Sequence, residues 1–201
     1  AAATAMTALW RDAAKKESGY PAKWTYDHGL VLKGIERVWI NTGDKKYFKF
    51  IQDSMDHFVA GDGSIRTYTI EEYNIDHILP GRNLLMLYKE TKQEKYRKAA
   101  THLREQLKTH PRTSEGGFWH KKIYPSQMWL DGLYMGEPFY AEYAVTFNEP
   151  AAFDDGEFDL AQPAFVRQLP VAPVTEGIAV TPDGGEVWVG SNQQGTVSVL
   201  D

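Results

Sequence analysis

Cysteine is absent from the 201 residues. That excludes disulfides and thiolate metal sites, and a cysteine-free chain fits either the cytoplasm or an exported compartment. No apolar run approaches the roughly 20 residues of a membrane-spanning helix, so no membrane partner is expected. Positive charge is scarce: 22 Lys and Arg face 27 Asp and Glu, for a net charge of −5. Without a basic stripe, nucleic acid is not an expected partner. H-E-x-x-H spacing, a G-x-S-x-G elbow and a P-loop are all missing, so neither a metal nor another cofactor is expected. The opening Ala1-Ala2-Ala3-Thr4-Ala5 has no initiator Met, which fits a removed signal peptide or a truncated gene.

Apolar residues make up 42% of the chain and aromatics 13%. Aromatic rings fill cores, and they also stack on the C–H faces of sugars. Up to about Asp155 the pattern is helical. Leu30, Val31, Ile35, Val38 and Trp39 recur at helix spacing, and Thr42-Gly43-Asp44 breaks the run with Asp44 as a cap. Tyr47, Phe50, Ile51 and Phe58 predict a second helix, ended by Gly61-Asp62-Gly63. Ile78, Leu84, Leu85, Leu87 and Tyr88 predict a third, broken near Thr91. Tyr96, Ala99, Ala100, Leu103 and Leu107 predict a fourth, stopped at Pro111. After a loop holding Gly116-Gly117, a fifth runs from near Trp129 to near Asn148.

These segments repeat. An aromatic stands three residues before a Thr at each break: Trp39 and Thr42, Tyr88 and Thr91, Tyr143 and Thr146. Fifteen residues before each Thr lies an Asp: Asp27, Asp76 and Asp131. Three helical hairpins whose first helices each begin near an Asp would stack side by side and point three carboxylates at one mouth. After Asp155 the pattern changes. Residues 156–173 read as a linker, and residues 174–201 alternate as about three short strands around Ile178/Val180, Val187/Val189 and Val197/Val199. Thr181-Pro182-Asp183-Gly184-Gly185 and Ser191-Asn192-Gln193-Gln194-Gly195 have turn chemistry.

A helix N-terminus favours an acidic cap, and capping is the preferred reading of Asp27. Asp76 and Asp131 have richer surroundings. Asp131, beside Trp129 and near His120, is expected to be partly desolvated, which suits a proton donor. Two carboxylates across a cleft also suit ordinary glycoside hydrolysis by acid and base. His28, His57, His77, His102 and His110 read as structural or surface residues, and Lys121-Lys122 as a solvated pair.

Five segments taken together resemble the unsaturated rhamnogalacturonyl hydrolases, within the wider family of unsaturated glucuronyl hydrolases. They are Trp24-Thr25-Tyr26-Asp27-His28-Gly29, Asn74-Ile75-Asp76-His77-Ile78, Pro111-Arg112-Thr113, Gly116-Gly117-Phe118-Trp119-His120-Lys121 and Gln127-Met128-Trp129-Leu130-Asp131-Gly132-Leu133-Tyr134-Met135. The resemblance covers about residues 10–155. It implies an (α/α)6 toroid of six helical hairpins, of which this chain carries about three. It also implies a substrate bearing a 4,5-unsaturated uronic acid, such as a pectin-derived oligosaccharide. The vinyl ether is hydrated, with a proton to C4 and water to C5, and one Asp serves as acid and then base. By resemblance Asp131 takes that role and Asp76 is the second Asp. His120 and Trp129 line the uronate subsite, and Tyr26 and Trp24 the same mouth.

The resemblance ends near Gly156. Residues 174–201 resemble one blade of the YVTN-type β-propeller family, and one blade cannot close a propeller. The expectation is therefore a mainly α fold: a partial toroid over residues 1–155, a linker over 156–173, and a propeller-like blade over 174–201. Such a chain reads as a chimera, a fragment or a misassembled gene, with impaired activity or only a binding or assembly role. Its open helix faces and strand edges allow self-association.

Overall fold

The computed structural model describes residues 22–114 and 116–150, together with the backbone of residues 175–180, 187–191 and 196–200. The expected linker, the first turn of the tail and most of the second lie outside the described residues, as does the amino terminus. The chain divides into two compact units, residues 1–159 and 160–201.

The first unit is helical. Helix α1 spans Tyr26–Thr42, α2 Lys45–Asp56, α3 Gly81–Thr91, α4 Glu94–Thr109 and α5 Leu130–Phe147. Among the described residues, no helix is long and apolar enough to cross a membrane. Links of two residues, Gly43-Asp44 and Lys92-Gln93, reverse the chain and make α1–α2 and α3–α4 hairpins. Asp44 is the N-cap of α2, accepting from the Lys46 N–H at 3.0 Å.

The Thr repeat has a structural cause. The hydroxyls of Thr42, Thr91 and Thr146 each donate to the carbonyl four residues back, at 2.7, 2.7 and 2.6 Å. Each adds a second bond to a carbonyl in the helix's last turns, the back-bonding to the i−4 carbonyl that Thr side chains make in helices. Gly43 and Lys92 then take left-handed backbone, and their N–H groups bond the carbonyls of Trp39 and Tyr88, the repeat's aromatics. In α5 the helix runs past its Thr, and the left-handed cap is Asn148.

Contacts between helices show their directions. Arg82 pairs with Glu142 and Tyr88 packs on Phe147, so α3 and α5 run the same way. Asn83 donates to the Gly29 carbonyl near the starts of α3 and α1, and Trp39 and Thr91 line one cavity near their ends. Thus α1, α3 and α5 lie parallel, with their N-termini at one end. Leu32, Ile35, Ile51, Met55, Leu84, Leu85, Leu87, Tyr96, Leu103 and Phe139 fill the core between the helices. Each large apolar side chain so buried contributes roughly 1.5–3 kcal/mol.

Three details depart from expectation. Helix α2 ends at Asp56, before Phe58, because residues 57–66 form a tight excursion joined by a Val59–Ile65 bridge. Helix α3 starts at Gly81 rather than near Ile78. The segment before it is a 3-10 turn, Ile75–His77, and Pro80 stands at the N-cap, where its missing N–H costs little. Asp27 is not a cap: it sits inside the first turn of α1, where the Thr25 hydroxyl donates to it.

The second unit holds an antiparallel meander: β1 Thr175–Val180, β2 Val187–Ser191 and β3 Thr196–Leu200, in the order β1-β2-β3. Val180 faces Val187 and Ser191 faces Thr196, with a bulge between Thr175 and Gly177. The alternation of Val and Ile residues is the signal that placed these strands.

Candidate active site

Two glycines of α5 create the site's floor. A Cβ on Gly136 would lie 2.9 Å from Ile75 Cδ1, and one on Gly132 would lie 3.3 Å from His120 Nδ1. Four residues apart on one helix face, they let Ile75 and His120 approach the helix closely. Ile75 therefore packs against the first turns of α5, and its neighbour Asp76 is carried to Asp131.

A short backbone ladder holds the other wall. The Ile75 N–H donates to the His120 carbonyl at 3.0 Å, and the Lys122 N–H donates to the Tyr73 carbonyl at 3.1 Å. The His120 N–H donates to the Gln127 carbonyl at 2.7 Å. His120 is thus fixed on both sides of its α-carbon. Its ring lies parallel to Trp129, with centroids 4.1 Å apart, and Trp129 also stacks on Tyr124 at 5.3 Å.

The result is a cluster in which one polar atom each of Asp76, His120 and Asp131 lies within 4.8 Å of the others. Asp76 and His120 are buried, and Asp131 is exposed. Asp76 Oδ1 lies 3.5 Å from His120 Nε2, and its Oδ2 accepts from Lys121 Nζ at 2.8 Å. His120 Nδ1 is buried without a hydrogen-bond partner. Burial lowers the His120 pKa and outweighs the pull of the Asp76 and Asp131 charges. The trio's spacing is within reach of one cation, but the Lys121 ammonium already holds an Asp76 oxygen and opposes a second positive charge there.

Two of the three repeat carboxylates thus meet, and Asp27, in the first turn of α1, is not part of that trio. Trp129 is partly exposed beside the cluster, and Tyr26 is exposed at the start of α1. Trp24 does not reach the surface. It is fully buried, donates its indole N–H to the His77 carbonyl at 2.8 Å, and packs edge-on against Phe58. The desolvation expected at Asp131 is not found, because the described residues leave that side chain open to solvent. Lys121 is not a free surface charge, since its backbone pairs with Asn74 and turns the side chain to Asp76. Sequence reasoning missed Tyr124, Lys121 and the glycine seam. Of these only Gly132-x-x-x-Gly136 carried a readable signal. A separate cavity of about 600 Å³ lies at the far end of the parallel helices, lined by Trp39, Lys45, Phe48 and Thr91 among others.

Comparison with known proteins bears on the family and the helical fold. Residues 3–163 match the model of Glycosyl Hydrolase Family 88. The chain is similar to a solved glycoside hydrolase from family 105 of C. acetobutylicum ATCC 824, with 50% identity and a TM-score of 0.67. The similarity covers 76% of this chain and 42% of that one. A possible member of the GH105 family from Klebsiella pneumoniae subsp. pneumoniae MGH 78578 shares the fold, with 22% identity and a TM-score of 0.61. That similarity covers 77% of this chain and 45% of that one, so the chain spans less than half the length of either structure. The family match stops before the strands.

Proposed function

The chain belongs to Glycosyl Hydrolase Family 88, and from that premise we propose that it is a glycosidase acting on oligosaccharides that end in a 4,5-unsaturated uronic acid, of the kind derived from rhamnogalacturonan in pectin. The observation that carries this reading is the meeting of Asp131, Asp76 and His120 at the N-terminal end of parallel helices.

Asp131, the accessible carboxyl, gives its proton to C4 of the vinyl ether. Water adds to C5 and returns a proton to the Asp131 carboxylate, so one residue acts as acid and then base. The resulting C5 hemiketal opens by breaking its bond to the ring oxygen. This frees the C1 hemiacetal, which expels the aglycone alcohol. Asp76, held by Lys121, supplies a fixed negative charge beside the reacting carbons. His120 and Trp129 form a wall for the uronate ring, with Tyr26 at the rim. Trp24 supports that rim from inside, through His77.

An inverting acid–base pair is disfavoured by distance. Such pairs stand about 6.5–9.5 Å apart to admit water, whereas oxygens of Asp76 and Asp131 lie within 4.8 Å. The test uses a lyase-generated unsaturated disaccharide and follows loss of the alkene's ultraviolet absorbance. The expected result is loss with the wild-type chain and none with Asp131→Asn. Equal rates for the two, or turnover of saturated substrates only, would refute the reading.

The tail's three-stranded meander is one strand short of a four-stranded propeller blade and is not specific to that fold. Leu30, Ile40, Leu130, Tyr134 and Val145 stay exposed on α1 and α5. That apolar surface favours self-association.

A further inference from the structure

We propose that Lys121 is a positioning residue of this site: its ammonium keeps the Asp76 charge paired and so adds to burial in keeping His120 a neutral imidazole. Three observations carry it.

The first is the ion pair itself. Lys121 Nζ lies 2.8 Å from Asp76 Oδ2, and the side chains are 24% and 9% exposed, so solvent screens the pair only in part. The second is the competing partner. His120 Nε2 lies 3.5 Å from the other oxygen of the same carboxylate. A carboxylate beside a histidine with no other cation present draws a proton onto the ring. With the ammonium in place part of that pull is offset by Lys121, in the same direction as the larger effect of burial. The third is rigidity. The backbone pairing of Asn74 with Lys121, and of Ile75 with His120, fixes both side chains relative to Asp76.

Every charged or titratable group facing His120 fits this account. Asp76 on the 3-10 turn and Asp131 on α5 favour its protonation, while Lys121 and burial oppose it. His110, at the end of α4, is pushed down to about 4 by burial and adds no charge near neutral pH. Its Nε2–H is placed to donate to the Trp119 carbonyl at 2.8 Å.

The consequence for chemistry rests on the proposed hydration reaction. A neutral His120 leaves Asp131 as the group that exchanges a proton with substrate. A protonated His120 beside it would be a second acid, bound to Asp76 and drawing that charge away from the reacting carbons.

The test reads His120 directly and does not require turnover. In the full chain, the imidazole resonances of His120 are followed by nitrogen–proton NMR from pH 4 to 8, in wild type, Lys121→Met and Lys121→Arg. Wild type is expected to titrate below the ordinary histidine value of 6.5. Lys121→Met is expected to move the transition up by about one pH unit, and Lys121→Arg to restore it. A protonated His120 at pH 7 in wild type overturns the proposal even if the Met variant fails to fold. So does a folded Lys121→Met with an unmoved transition, or a Lys121→Arg that behaves like Met. Assayed on the unsaturated disaccharide, Lys121→Met is expected to gain a new acidic limb in its pH–rate profile. A raised KM with an unchanged profile and an unmoved His120 transition would make Lys121 a direct substrate contact instead. If wild type turns over no unsaturated substrate, the functional reading fails while the imidazole titration still decides the role of Lys121.

Discussion

Replacing Gly29 by Ala tests how tightly the first hairpin is joined to the turn that carries Asp76. A Cβ at Gly29 would meet Pro80 Cα at 2.7 Å and Pro80 N at 2.9 Å. Carbon atoms attract at about 3.5–4.0 Å, so α1 must retreat from Pro80 by roughly 1 Å. The obstacle is mostly backbone at a ring-constrained residue and has no rotamer to change. Overpacking of this kind costs about 1–3 kcal/mol. The same retreat lengthens the 3.1 Å bond from Asn83 to the Gly29 carbonyl, for about 1 kcal/mol more. Against these, Ala is favoured over Gly within a helix by about 1 kcal/mol. The balance is a destabilisation of about 2 kcal/mol. At about 2–4 °C per kcal/mol for a chain of this size, Tm should fall by about 4–8 °C. Thermal melts by circular dichroism and urea midpoints measure it, with Gly61→Ala as the control, since nothing lies within 4 Å of a Cβ there. A Gly29→Ala variant as stable as wild type, or more stable, would show that α1 and Pro80 do not touch as described.

Two further outcomes follow from buried groups. Trp24→Phe removes the donor to the His77 carbonyl, so it should cost about 1–3 kcal/mol of stability while leaving KM for an unsaturated substrate unchanged. A raised KM with intact stability would return Trp24 to the sugar-binding surface. Burial lowers the pKa of His28 and of His110 from 6.5 to about 4. The unfolded chain therefore binds these protons first, and stability is full above pH 6.5 and falls as pH drops toward 4. The loss is roughly 3 kcal/mol per histidine, a large share of a typical domain's stability of about 5–15 kcal/mol. Urea midpoints taken between pH 7 and 4 should decline steadily, and a flat profile would refute the assignment.

Much of the helical frame was legible along the chain because it is written locally. Apolar spacing located α1 to α5, and Asp44 and Asn148 marked a start and a stop where the backbone needs them. The Thr repeat was visible as spacing alone. That each Thr hydroxyl bonds its own i−4 carbonyl near a helix end is a short-range event, which is why it recurs in sequence.

The cluster was legible only in part. Asp76, His120 and Asp131 are single residues in three separate segments, and no local rule says that they meet. The motif resemblance named them, while the glycine seam and the ladder between residues 73–75 and 120–122 bring them within reach. Exposure also escaped the linear reading: Trp24 is core and Asp131 is open, because burial depends on which elements pack on a residue and not on its neighbours in sequence.

What the sequence determined by itself was periodicity, caps, strand alternation and the exclusion of thiol chemistry, all properties of residues a few positions apart. What only the tertiary structure decided was the pairing of distant groups. Lys121 looked like half of a solvated charge pair, and it became the partner of Asp76 because the backbone bonds of its neighbours His120 and Lys122 to Ile75 and Tyr73 hold it beside the turn that carries Asp76. Charges act through space, over a few ångströms, and sequence separation does not measure that distance.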